Sequence, residues 1–361
     1  MAVNLQMYHR ILDELCQWHS GERITRLRNM ALMLVGLTQG RGIHLSQIVE
    51  QWPGLEAKEP SLVNRLRRFL DNPAVVVRKW YEPVVMHLLE AFAGQELRLI
   101  IDCSKVGFHH RMLTVSLAYK RRALPLVWSV HRGRKGHVDY TKQLELLDYL
   151  SGLLPENSSV TLLGDAGFES VHLLNWMKEQ GWHFVLRHPG KNQVRWDGQD
   201  WIKLSQIPIQ EGQTRTIGWV NLTEKHDAGP FWLTIHWATG EDEPWYLIAD
   251  EQPKSHGRQH IALYRVRMWT EEMYGDMKGH GFDLEATHLD DVDRISRLVL
   301  AVCIAFVWLI TLGSRIVKQG LRHFVDVKSR RDKSYFRIGW DWILRCIRLG
   351  RPFPFCFHPY F

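Results

Sequence analysis

Cysteine is scarce in this chain. The five present (Cys16, Cys103, Cys303, Cys346 and Cys356) are scattered through 361 residues and never form a CxxC pair. That spacing argues against a disulfide framework and against a zinc site built on cysteine pairs, and it fits a reducing cytoplasm. No internal repeat and no low-complexity tract is present, which excludes solenoid and disordered classes. A long membrane-spanning run is also missing. The most apolar stretch, LVLAVCIAFVWLITL at 298–312, is fifteen residues long, short of the ~20 that a bilayer requires. It is therefore predicted to be a buried core helix, and no membrane partner is expected. No signal-peptide pattern precedes the first helical pattern, because the N-terminus is already amphipathic and carries Asp13 and Glu14.

Acidic residues are outnumbered. Lys and Arg total 46 against 39 Asp and Glu, for a net charge of +7 and a pI near 9.1, a balance that favours a polyanionic partner. The excess is uneven: from 314 to 361 eleven Lys and Arg face three acids, whereas residues 1–95 carry eleven against nine. With 45% hydrophobic and 24% charged residues, the remainder is ordinary for a globular protein with room for two or three cores.

The chain divides by period. Residues 1–95 read as helices: ITRLRNMALMLVGLTQGRG, then HLSQIVEQW, then SLVNRLRRFLDN with Ser61 as N-cap and Arg65, Arg67 and Arg68 exposed. Two helices followed by a basic one suggest a helix-turn-helix-like DNA-binding module; a plain helical bundle with a charged face is the alternative. Beyond residue 96 the period changes. LRLIID, RMLTVSLAYKRRA and LPLVWSVHRG read as strands, YTKQLELLDYLSGLL as a helix, SVTLLGD as a strand, VHLLNWMKEQG as a helix and WHFVLRHP as a strand. Residues 190–250 lack helical periodicity and are predicted to be strands rich in Trp and Thr. A helical region at 251–320 and a basic, aromatic tail at 321–361 complete the division.

Chemistry concentrates in YRVRMWTEEMYGDMK, residues 264–278. On a helix turning about 100° per residue, with Tyr264 at zero, Arg267 falls near roughly −60°, Glu271 near −20° and Lys278 near −40°. Glu272 falls near roughly +80° and leaves that face. A solvated stripe of ion pairs is the bland account of such a face. A functional account needs further carboxylates, and Asp102 and Asp165 each end an apolar strand. One Asp at a strand end is usually a turn former. Two of them, with a glutamate flanked by cations, form an oxygen-only set suited to Mg²⁺ or Mn²⁺, and three carboxylates can hold two such ions about 3.5–4 Å apart.

Tyr264, Arg267, Glu271 and Lys278 follow the spacing Tyr-x2-Arg-x3-Glu-x6-Lys, and on these residues the chain resembles the bacterial insertion-sequence DDE transposases of the IS-four-like group. The resemblance covers about residues 100 to 280. It implies an α/β fold: an RNase H-like mixed-sheet catalytic core (96–189 and 251–320), a β-strand insertion (190–250) and an N-terminal all-α DNA-binding domain (1–95). It implies Mg²⁺-dependent cut-and-paste transposition, with Asp102, Asp165 and Glu271 holding two Mg²⁺ (Mn²⁺ substituting) and Tyr264, Arg267 and Lys278 contacting phosphates. Transposon-end and target DNA, a homodimer assembled on DNA and a nucleoid-associated cytoplasmic location are further implications. Trp245 matches the tryptophan on which relatives stack a flipped base while a DNA hairpin forms; a core Trp is the alternative role. Two positions depart from the group, Met268 directly after the signature Arg and Ala166 after the second Asp, and neither is an expected metal ligand. The rival readings are another RNase H-fold nuclease such as a resolvase, or an inactive transposase-derived DNA-binding protein.

Overall fold

A computed structural model of the chain describes residues 2–40, 42–54, 56–133 and 138–360. Five helices come first: α1 (Ala2–Trp18), α2 (Ile24–Gly40), α3 (Leu45–Glu50), α4 (Glu59–Leu70) and α5 (Val77–Ala91). Strands β1 (Leu97–Val106), β2 (His110–Tyr119) and β3 (Arg122–Arg132) lead to α6 (Tyr140–Ser151), β4 (Val160–Gly164), α7 (Val171–Glu179) and β5 (His183–His188). The 190–250 region supplies β6 (Gln193–Arg195), β7 (Ile202–Lys203), β8 (Thr214–Leu222), β9 (Ala228–His236) and β10 (Trp245–Ala249). Helices α8 (Arg258–Val266), α9 (Trp269–Met277), α10 (Val292–Lys318) and α11 (Tyr335–Leu349) follow.

The five strands before residue 190 form the expected RNase H-like mixed sheet in the order β3-β2-β1-β4-β5. Neighbours β1, β4 and β5 run parallel, while β2 and β3 are antiparallel additions. Leu99, Ile100 and Ile101 are all fully buried. Successive strand residues point to opposite faces, so both faces of β1 are covered, as a parallel strand requires. Helices α6 and α7 pack together against the sheet, while α8 and α9 reach β4, β5, β10, β1 and β3. The insertion continues the same sheet. β10 pairs antiparallel with β5, and β9, β8, β6 and β7 extend the order to ten strands.

The apolar run at 298–312 lies inside α10, a helix long and apolar enough to cross a bilayer, and that run is buried throughout. It packs against α2, α4, α5, β3 and α11. Its approach to α11 is backbone to backbone: a Cβ on Gly339 would stand 1.9 Å from the Leu309 carbonyl oxygen, and one on Gly313 1.9 Å from that of Tyr335. The N-terminal helices join this core. The Arg297 guanidinium caps the Leu70 and Val75 carbonyls at 2.9 and 3.2 Å, and Trp340 Nε1 donates to the Thr38 carbonyl at 2.7 Å.

Three details differ from the sequence reading. Ser61 is not an N-cap, because α4 begins earlier, at Glu59, with a proline in its first turn whose fixed φ suits that position. Arg65 is not exposed: its Nε donates to Asn29 Oδ1 at 2.7 Å and its guanidinium lies 5.7 Å from the Trp52 ring. The 321–361 segment contains the amphipathic α11, and its end lies over the N-terminal helices with Phe353, Phe355 and Phe357 buried.

Candidate active site

Asp102 does not end its strand. β1 runs on to Val106 because β2 pairs with it as far as Val106↔His110, whereas the parallel ladder to β4 stops at Ile101↔Gly164. Asp102 and Asp165 are the next residues in that register, so they stand side by side where the two strands part. In a parallel pair, residues in register face the same side. Each carboxylate is oriented by the backbone: Cys103 N–H donates to Asp102 Oδ1 at 2.7 Å, and Gly167 N–H donates to Asp165 Oδ1 at 2.9 Å.

The segment carrying Glu271 is not one helix. α8 ends at Val266 and α9 begins at Trp269, although Arg267 and Met268 keep right-handed helical dihedrals. The join is tightened by i→i−3 bonds, from Arg267 to Tyr264, Met268 to Arg265, Thr270 to Arg267 and Glu271 to Met268. A short 3₁₀ stretch of this kind re-aims the side chains around it. Arg267 sits at this bend with its side chain 13% exposed, its Nη1 3.5 Å from Asp102 Oδ2 and its Nη2 bonded to Glu271 Oε1. One guanidinium thus ties the glutamate of α9 to the aspartate of β1. Glu271 itself is half-exposed. Glu272 points elsewhere, 3.2 Å from Arg122 Nη1, and Arg122 also holds Asp276 at 2.7 Å.

Burial raises the Asp102 carboxyl from 3.8 to about 6, reinforced by the neighbouring Asp165 and Glu271 and opposed by Arg267. Three carboxylates around one guanidinium leave the site with an excess of negative charge. Its donors are all oxygen, the set that hard divalent cations such as Mg²⁺ and Mn²⁺ take. The residues therefore fit such ions.

The remaining expected site residues are engaged with protein partners. Lys278 Nζ donates to Ser104 Oγ at 2.8 Å and Glu285 Oε1 at 2.9 Å. Tyr264 is only 3% exposed and its ring meets Trp245 edge-on at 4.9 Å. Trp245 is half-buried at the start of β10, also against His236. Arg67 and Arg68 are exposed on α4, whose nearest bonds are to Asn64; together with Arg65 they lie on the N-terminal helices and are not part of the carboxylate cluster.

Other neighbours escaped the sequence reading. The Tyr274 hydroxyl, fully buried, donates to the Asp102 carbonyl at 3.4 Å, and nothing in a Tyr on an apolar helix face announces that bond. The run Lys120-Arg121-Arg122 was legible as three cations between two strands. It lines a cleft of about 490 Å³ beside Glu271, with Arg322, Arg331 and Lys333 opposite. Lys120 and Arg121 both have positive φ, 44° and 63°, the conformation of a two-residue type I′ hairpin turn that Asn-Gly occupies with less strain.

A family model described as "Transposase DDE domain" matches residues 102–308, which span Asp102, Asp165 and Glu271. Comparison with curated proteins found no match. Among solved structures the chain is similar to one described as the piggyBac transposase synaptic complex with hairpin DNA, with 10% identity and a TM-score of 0.47, over 96% of this chain and 79% of that one.

Proposed function

The chain belongs to the transposase DDE domain family, and from that membership we propose a metal-dependent DNA transposase that excises an insertion sequence at its terminal repeats and joins it to target DNA. The observation that carries this reading is that strand register sets Asp102 beside Asp165, while Arg267 links Asp102 to Glu271. The three carboxylates would hold two Mg²⁺ or Mn²⁺ ions. When bound, such ions polarise a phosphodiester and activate water, or later a DNA 3′-hydroxyl, as the nucleophile.

The chain's own groups orient and neutralise. Arg267 holds two of the ligand carboxylates on one guanidinium and presents the cation beside the phosphate to be cut. Lys278, fixed by Ser104 and Glu285, adds a second charge; Tyr264 backs Arg267 from 6.0 Å. The cleft beside Glu271, with six cations, suits the DNA backbone leading to the cut. Three non-glycine residues that line it, Lys120, Arg121 and Arg331, hold positive φ, and such backbone strain beside the carboxylates supports a functional reading of the cleft. Arg65, Arg67 and Arg68 belong to the surface proposed to bind terminal DNA. Trp245, against Tyr264, is proposed as the platform for a flipped base during hairpin formation. Two protomers on two DNA ends, in a cytoplasmic, nucleoid-bound complex, complete the proposal.

The test is strand cleavage of the element's own terminal DNA with and without Mg²⁺. Asp102→Asn, Asp165→Asn and Glu271→Gln should each abolish cleavage while DNA binding persists. Cleavage retained in any of the three removes that residue from the ligand set. Cleavage of branched junctions but not of terminal repeats identifies a resolvase, and binding without any cleavage an inactive relative.

A further inference from the structure

The last residues of the chain carry a site remote from the carboxylate cluster. From Arg351 to Tyr360 no helix or strand forms, yet the segment is well fixed. Phe353, Phe355 and Phe357 point inward, where Phe355 and Phe357 meet the Trp18 ring at 5.9 and 4.9 Å and Phe353 and Phe355 meet Trp308. An extended chain alternates its side chains between two sides. The period that buries three phenylalanines therefore turns His358 outward, over the exposed edge of α5.

There it meets His87 and Glu90, one helical turn apart on the same face of α5. His358 Nε2 lies 3.0 Å from Glu90 Oε2, His87 Nδ1 lies 3.9 Å from the same oxygen, and the two imidazole centroids are 4.7 Å apart. One ligand atom from each residue falls within 4.8 Å of the others. Bond lengths of about 2.0–2.2 Å to a tetrahedral zinc ion put ligand atoms about 3.4 Å apart. The three side chains are 32%, 72% and 49% exposed in the order His87, Glu90, His358, so small rotations close the remaining distance without disturbing the core.

We propose that His87, Glu90 and His358 form a binding site for a zinc-class divalent ion that clasps the C-terminal segment to α5. Two imidazoles and one carboxylate select Zn²⁺, Co²⁺ or Ni²⁺ over Mg²⁺, which prefers oxygen alone and keeps its waters. Three protein ligands leave the fourth tetrahedral position to water. Burial, and after it the neighbouring His358, lowers the His87 pKa, with Glu90 and Glu14 opposing. The clasp ties the N-terminal helices to a segment that also reaches the β2–β3 turn, where the Tyr360 carbonyl accepts from Tyr119 and Lys120.

The experiment is a Zn²⁺ titration of the full chain against a chromophoric chelator in excess Mg²⁺, repeated with Co²⁺ to read the visible bands of tetrahedral coordination. Asp165→Asn serves as the control for ions held at the carboxylate cluster. One tight equivalent should persist in Asp165→Asn and disappear in His87→Gln and His358→Gln. Zn²⁺ should raise the melting temperature of the wild type but not of His358→Gln. Glu90→Gln keeps the test open should a histidine variant fail to fold in metal-free buffer. No tight equivalent in the wild type, or one that survives in both histidine variants, overturns the site.

Discussion

Asp102→Asn should stabilise the metal-free protein at neutral pH even though it removes a proposed metal ligand. The Asp102 carboxyl, only 8% exposed, is raised from 3.8 to about 6, so ionisation is harder in the folded state than in the unfolded chain. Stability that is present below about pH 4 is lost progressively until the folded group ionises near pH 6. A shift of about two units at 1.36 kcal/mol each sets an upper bound of about 3 kcal/mol. Asparagine never ionises and so escapes that loss, and its amide oxygen can still accept from Cys103 N–H. The attraction of Arg267, 3.5 Å away, is already contained in the raised value, so losing that partner does not reduce the bound further. Urea denaturation in EDTA at pH 4.5 and pH 7 reads the difference. The linkage component at pH 4.5 should be about a third of that at pH 7. Mg²⁺ should narrow the gap by stabilising the wild type alone. A variant less stable than wild type at pH 7, or a gap independent of pH, would refute the account of Asp102 as an unfavourably buried charge.

Glu271→Gln should stop nicking of terminal DNA in a single-turnover assay, whereas Glu272→Gln, which breaks one of two contacts to Arg122, should nick normally and cost under about 1 kcal/mol. Gly339→Ala forces a methyl group into the Leu309 carbonyl, and denaturant melts should show a loss of about 3 kcal/mol or more; an unchanged midpoint would mean that α10 and α11 are not packed this closely. Arg121→Asn relaxes a residue at φ 63°, so stability should hold or rise by up to about 1 kcal/mol. The same variant should weaken DNA binding, and the slope of log affinity against log salt should fall by roughly 0.9 for each phosphate that is no longer neutralised. Trp245→Ala should permit the first nick but slow the second-strand cut, with partial rescue by an abasic site at the flipped position. Because Trp245 is only half-buried, its stability cost should stay below the roughly 3–5 kcal/mol of a core tryptophan, and equal slowing of both steps would speak for a purely structural role.

The sequence alone determined what depends on neighbours along the chain. Period 2 and period 3.6 marked the strands and helices from residue 96 to 189 in their observed order, since alternation and amphipathicity are local properties. The spacing of Tyr264, Arg267, Glu271 and Lys278, with two aspartates after apolar runs, marked Asp102, Asp165 and Glu271 as candidates. Tertiary structure decided what depends on partners far away in sequence. Strand register, set by hydrogen bonds between residues about sixty apart, put Asp102 beside Asp165. Pairing with β2 carried β1 past Asp102. Pairing of β10 with β5 made the 190–250 strands part of one sheet, because a strand's sequence gives its faces but not its neighbour. The same cause hid the fate of Arg65 and His358. Charge and exposure on a helix wheel cannot reveal that Asn29 and Trp52 cover one, or that the other ends its path beside His87 and Glu90.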